Sequence, residues 1–174
     1  MIIGSSKSLV GIVLRIIFDI YNSIFNNQQH QFHVAFENKG RRNIMYGIQK
    51  TSYGYKLKFG GFIQDDEMKK WVEESKRTLL NKTGKFGIFV DMRELKPLDS
   101  NSQAIMREGQ KLYKDKGMER SVVIVSTALT RSQFKRIAKE TGIYQWERYI
   151  DTSSNPDWEK AGIDWIKYGK DPDK

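Results

Sequence analysis

The stretch VDMRELKPLDSNSQAIM, Val90 to Met106, carries the fold decision. It closes the apolar run FGIFVD, Phe86 to Asp91, which reads as a short strand buried on both faces. Asp99 and Ser100 follow after a polar loop. A helix is then predicted from about Asn101 to Lys116, stopped by Gly117. Its expected inner face is Ala104, Ile105, Gly109 and Leu112. Ser100-x-x-Gln103 has the pattern of a capping box, which makes Ser100 the expected cap of that helix.

The same alternation extends in both directions. Upstream, IMYGIQ and YGYKLKF read as strands joined by a turn at KTSYG. The segment QDDEMKKWVEESKRTLLNKTG begins with acids and ends with bases and Gly84, matching the polarity of a helix. Met68, Trp71, Val72, Ser75 and Leu79 share one face of it. Downstream, SVVIV reads as a second buried strand. TRSQFKRIAKETG reads as a helix closed by Gly142, with Phe134, Ile137 and Ala138 inward. QWERYI alternates like a strand nearer the sheet edge. NPDWEKAGIDWIKY reads as a last helix, with Pro156 in its first turn and Trp158, Ala161 and Trp165 inward. The expected order is β-β-α-β-α-β-α-β-α, an N-terminal hairpin followed by β-α repeats. Such repeats build an α/β domain with a mixed, largely parallel sheet and helices packed on it. The domain is assigned to residues 44–170, and residues 171–174 are expected to fray.

Residues 1–43 have a different character. LVGIVLRIIFDIYNSIF, residues 9–25, is apolar but interrupted by Arg15 and Asp19, which share one helical face. Those charges argue against a membrane span, and Arg15 against a cleaved signal peptide. Two readings stand: an amphipathic helix docked on the domain, a membrane surface or another protomer, or a translation start at Met45.

The chain has 174 residues, of which 39% are hydrophobic and 29% charged, a globular composition. It has no cysteine, which excludes disulfides, thiol catalysis and cysteine-ligated zinc. A cytoplasmic location fits that, with peripheral membrane contact through residues 9–25 as the alternative. The net charge of +9 weakly favours anionic partners. Along the predicted helices, however, the bases mostly alternate with acids, as on a solvated surface. Arg131, Lys135, Lys139 and Arg136 form a basic ridge that could meet phosphates. No helix-turn-helix, RNP motif or zinc finger frames it, and the solvated-face reading is preferred to nucleic-acid binding.

Enzyme chemistry finds little support. Neither a P-loop nor a dinucleotide fingerprint occurs. The two histidines, His30 and His33, precede the domain, so it lacks the base of a Ser-His-Asp triad, and no metal or cofactor is assigned. Asp65, Asp66 and Glu67 sit where a helix N-terminus favours negative charge. Thr130-x-x-Gln133 repeats the capping pattern of Ser100.

The element order, together with FGIFVDMRELKPLDS, GMERSVVIVS, QFKRIAKETGI and ERYIDTSSNPDWEKAGIDWI, resembles the STAS family, the anti-sigma-factor-antagonist fold. Within it the chain looks like the SpoIIAA-like branch, over about residues 45–168. The resemblance implies a non-enzymatic regulatory module that binds a protein partner, such as a kinase or an anti-sigma-type regulator. In phosphorylatable members a strand ends on Asp, and a loop leads to Asp-Ser at the start of the next helix. Asp91, Asp99 and Ser100 match that spacing, which implies Ser100 as a phosphorylation site and Asp91 and Asp99 as residues of the site loop. The family's usual continuation is Ser-Gly-Leu, and Asn101, Ser102 and Gln103 stand there instead. Related folds bind lipid or other small apolar ligands, and that is the alternative expectation.

Overall fold

A computed structural model describes residues 45–174. The expectations for the 9–25 helix, for His30 and His33, and for the 1–43 extension lie outside the described residues. The elements run β1 Tyr46–Thr51, β2 Gly54–Gly61, α1 Asp65–Thr78, β3 Phe86–Leu95, α2 Ser100–Asp115, β4 Met118–Val125, α3 Ala128–Thr141, a 3₁₀ turn Tyr144–Trp146, β5 Glu147–Asp151 and α4 Trp158–Tyr168. The result is an α/β domain with five strands and four α-helices. The 3₁₀ turn was not expected. It takes Gln145 and Trp146 out of the strand predicted there, so Trp146 packs under the Lys114 ammonium, 5.0 Å from its ring centre, instead of extending along a sheet edge.

The strands lie in sequence order, β1-β2-β3-β4-β5. β1 pairs antiparallel with β2, and each later pairing is parallel. Successive crossovers of one hand, each stepping to the adjacent strand, put their helices on one face of the sheet. Accordingly α1, α2 and α3 cover one face, with Trp71, Met106, Phe134 and Ile137 buried against Leu57, Ile88, Val90 and Val123. α4, which follows the last strand, covers the other face through Trp165 and Ile166, over Phe89, Val122, Ile124 and Ile150. β3 and β4 are buried on both faces, which is why FGIFV and SVVIV are continuously apolar. Each large side chain buried here contributes about 1.5–3 kcal/mol.

Three boundaries depart from expectation. β3 does not end at Asp91 but runs to Leu95, because β2 keeps pairing with it as far as Gly61–Leu95 across an irregular register near Lys58 and Gly60. The irregularity breaks the alternation, so Met92 and Leu95 are both buried while Arg93 and Glu94 are exposed. α2 turns a different stripe inward: Ala104 is exposed and Leu112 only partly buried, whereas Ser102, Ile105, Met106, Gly109, Gln110 and Tyr113 are buried. A helix wedged between α1 and α3 must bury a wider face than a simple amphipathic stripe. α4 begins at Trp158, two residues beyond Pro156, so the proline lies in the preceding turn. The terminal residues carry one anchor, since Arg148 donates to both Asp171 carboxylate oxygens at 2.8 Å. Among the described residues no helix is long and apolar enough to cross a membrane.

Candidate functional site

The four helices all begin at the same rim of the sheet, beyond the C-terminal ends of the parallel strands. The strand-to-helix loops gathered at this rim are surface segments, where binding residues are disproportionately found. The loop from β3 to α2, residues 96–99, lies in the middle of that rim. On one side, Lys96 N–H donates to Gly61 O at 3.0 Å, which ties it to the β2–α1 connection. On the other, Thr130 Oγ1 donates to Leu95 O at 3.4 Å, which ties it to α3.

Leu98 fixes the loop. Its carbonyl accepts from Gln103 Nε2 and Gln133 Nε2, each at 2.8 Å, and its N–H donates to Gln133 Oε1 at 2.8 Å. The Leu98 side chain is buried as well. These two glutamines are the residues that the capping-box patterns singled out, and both do other work. The cap of α2 is Asp99, whose Oδ1 accepts from Ser102 N–H at 2.8 Å; the cap of α3 is Thr127, whose Oγ1 accepts from Thr130 N–H at 3.2 Å. Both caps therefore lie upstream of the expected ones, Asp99 in place of Ser100 and Thr127 in place of Thr130. At α1 the contact runs the other way: the Gln64 N–H donates to the Glu67 carboxylate at 3.3 Å, the reciprocal half of a capping box. Removing Gln133 leaves Leu98 with an unsatisfied N–H, so Gln133→Ala is expected to destabilise the domain by about 1–2 kcal/mol. Amide hydrogen exchange at Leu98–Ser100 should speed up selectively; uniform protection across the loop would refute the clamp.

Ser100 is the first residue of α2 and is exposed. Among the described residues its hydroxyl makes no hydrogen bond. Asp99 and Ser100 thus stand together at one helix start, one capping and one free. Asp91 is committed elsewhere. It shares the side of β3 occupied by Phe89, toward α4, and is 5% exposed. Arg93 donates to it from Nε at 2.9 Å and from Nη2 at 2.7 Å, and the guanidinium stacks over Trp158, 4.3 Å from the ring centre. Burial pushes the Asp91 carboxyl upward, but the Arg93 hydrogen bonds and charge override it and hold the group below its usual value.

Two exposed apolar side chains flank the loop: Phe62, directly after β2, is 68% exposed, and Leu129, in the first turn of α3, is 65% exposed. The sequence reading passed over both, because single apolar residues in connecting segments carry no periodicity. The basic ridge of α3 is engaged within the domain. Arg131 lies 3.8 Å from Asp151, Arg136 pairs with Glu140 at 2.8 Å, and Lys135 and Lys139 sit over the rings of Tyr149 and Tyr144.

Between the sheet and the three-helix layer is an internal cavity of about 30 Å³, lined among others by Trp71, Met106, Gln110, Ser121 and Glu147. It has room for about two water molecules and not for a lipid chain. Among the described residues no group of three or more His, Asp or Glu side chains could hold a metal ion.

No protein-family model matches the chain, and no curated protein matches it. Among solved structures it is similar to one described as the NMR structure of the protein TM1081, with 14% sequence identity and a TM-score of 0.46 over 71% of this chain and 94% of that one.

Proposed function

We propose that this chain is a non-catalytic, STAS-like regulatory module that binds a protein partner through the rim around Ser100, and that phosphorylation of Ser100 switches the binding. The hairpin followed by β-α repeats fits the family resemblance of the sequence. The observation that carries the switch is the division of labour at the start of α2. Asp99 caps the helix, so the Ser100 hydroxyl is exposed and unbonded on a loop held rigid by Gln103 and Gln133. Ser100 can therefore be modified without loss of the cap. A phosphate there adds about −1.5 to −2 charges at a helix N-terminus, which tolerates anions. Phe62 and Leu129 provide apolar contact area on either side of the switch. The alternative, a small apolar ligand held inside the domain, is disfavoured by the size of the internal cavity.

Peptide mapping by mass spectrometry of the chain from its own host is expected to find one phosphate on Ser100, absent in Ser100→Ala. Once a partner is in hand, Ser100→Asp should change its affinity about tenfold or more relative to Ser100→Ala. Equal affinity for wild type, Ser100→Ala and Ser100→Asp would sink the switch. Equal affinity for Phe62→Asp and Leu129→Asp would sink the rim as the docking surface.

A further inference from the structure

At the opposite end of the sheet from Ser100, a surface groove of about 390 Å³ opens between the β1–β2 turn and the C-terminal end of α1. That volume is in the range of small-molecule sites. Its lining contains two lysines, Lys50 and Lys82, and no carboxylate. Besides the hydroxyls of Thr51, Tyr53 and Tyr55, its walls hold Ser52, Thr78 and Asn81, which make no side-chain hydrogen bond among the described residues, and Lys50 makes no ion pair there. The floor is apolar: Tyr55 and Phe86 meet edge to face with ring centres 5.6 Å apart.

The walls are already in place. Gly87 N–H donates to Tyr53 O at 2.8 Å, locking the turn onto the start of β3. Gly54 has a φ of 144°, and a Cβ there would stand 2.2 Å from Gly87 O, so the chain closes at this point only through glycine. The Lys82 ammonium donates to Thr83 O and Gly84 O and lies 5.1 Å from the centre of the Phe86 ring. Two of its three donors are thus used in fixing it, and one remains. The C-terminal end of α1 presents its negative end here, so the anion's attraction rests on the Lys50 and Lys82 charges outweighing it.

We infer that this groove is a binding site for a small organic anion, a carboxylate or phosphate on a compact apolar body. The charged group meets Lys50 and Lys82, the hydroxyl and amide groups complete its hydrogen bonds, and the apolar part rests over Tyr55 and Phe86. A cation is excluded by the lysines, and a neutral molecule of the same shape forfeits the charge-assisted bonds.

The test is titration of the isotope-labelled full chain with benzoate, phenyl phosphate, benzyl alcohol and benzylamine, followed through backbone amide resonances. At least one of the two anions should saturably shift residues 51–54 and 81–82, and which one binds tighter identifies the headgroup. The neutral and cationic probes should bind about tenfold more weakly or worse. Lys50→Glu and Ser52→Glu, both at exposed positions, should each weaken the anion about tenfold while leaving the rest of the spectrum in place. Binding that survives both substitutions overturns the assignment, as does an equal response to benzylamine or no saturable shift with either anion. These outcomes do not depend on whether Ser100 is a switch.

Discussion

Glu147→Gln is expected to stabilise the protein by about 3 kcal/mol at pH 8 and to leave it nearly unchanged at pH 4. Glu147 opens β5 and points into the three-helix side of the core, where it is 4% exposed. Its carboxyl accepts a hydrogen bond from the Tyr149 hydroxyl and faces Ser121 and Gln110 around the internal cavity. Among the described residues no cation pairs with it. Burial raises its pKa from 4.5 to about 7, against the smaller opposing effect of the Tyr149 and Ser121 hydrogen bonds. The unfolded chain ionises first as pH rises. The folded state keeps its proton until about pH 7, so stability is full below pH 4.5 and falls between 4.5 and 7. Glutamine keeps the shape and the acceptor but cannot ionise. Asp91 and Asp171, both held below the usual 3.8, act in the opposite sense and only in acid: their contribution is present above that value and is lost as pH falls through their lowered pKa values. Urea midpoints across pH 4 to 8 read the difference directly. Parallel profiles for wild type and Glu147→Gln would refute the assignment.

Gly109→Ala is expected to destabilise by about 1–3 kcal/mol, although the substitution favours the helix by about 1 kcal/mol. Gly109 is buried on α2 against α1, and a Cβ there would stand 2.0 Å from Cη2 of Trp71. The indole has nowhere to go. It packs edge-on to Phe59 at 5.1 Å and stacks on Tyr113 at 6.2 Å. Tyr113 is itself tied to Ser75 by a 3.0 Å hydrogen bond. Overpacking therefore outweighs propensity. In a Trp71→Phe background the clashing atoms are gone, and the same Gly109→Ala change should become neutral or stabilising. Denaturant unfolding of the four proteins measures both signs; a loss of equal size in both backgrounds would show that the indole is not the obstacle.

The α/β class, the hairpin and the β-α repeats were legible because each rests on a local signal. FGIFV and SVVIV are apolar because two faces are covered, and Phe134, Ile137 and Ala138 recur at helical spacing because one face is. Gly142 stops α3 with a φ of 76°, as its position after the last helical residue indicates. What escaped depends on tertiary partners. The extension of β3 to Leu95 comes from continued pairing with β2, and nothing in MREL announces it. The capping boxes at Ser100 and Thr130 were misassigned because Gln103 and Gln133 are drawn to the Leu98 backbone, a contact across 35 residues for Gln133. Glu147 drew no attention in the sequence, since a glutamate in an alternating strand reads as surface until the neighbouring helix is placed over it. The tandem Asp99-Ser100 was visible, and only the structure divides its two roles.

The strand order has a consequence for how the chain acquires its fold. Each strand joins the edge left by its predecessor, so during synthesis the sheet can grow unit by unit from the N-terminal hairpin, with the three-helix layer completed as it goes. The second face has no such gradual route. Phe89, Val122, Ile124 and Ile150 are covered by α4, which leaves the ribosome after all five strands. Until it arrives, the nascent domain carries a bare apolar sheet surface, and a chain stopped before Trp158 is a substrate for chaperones or for aggregation.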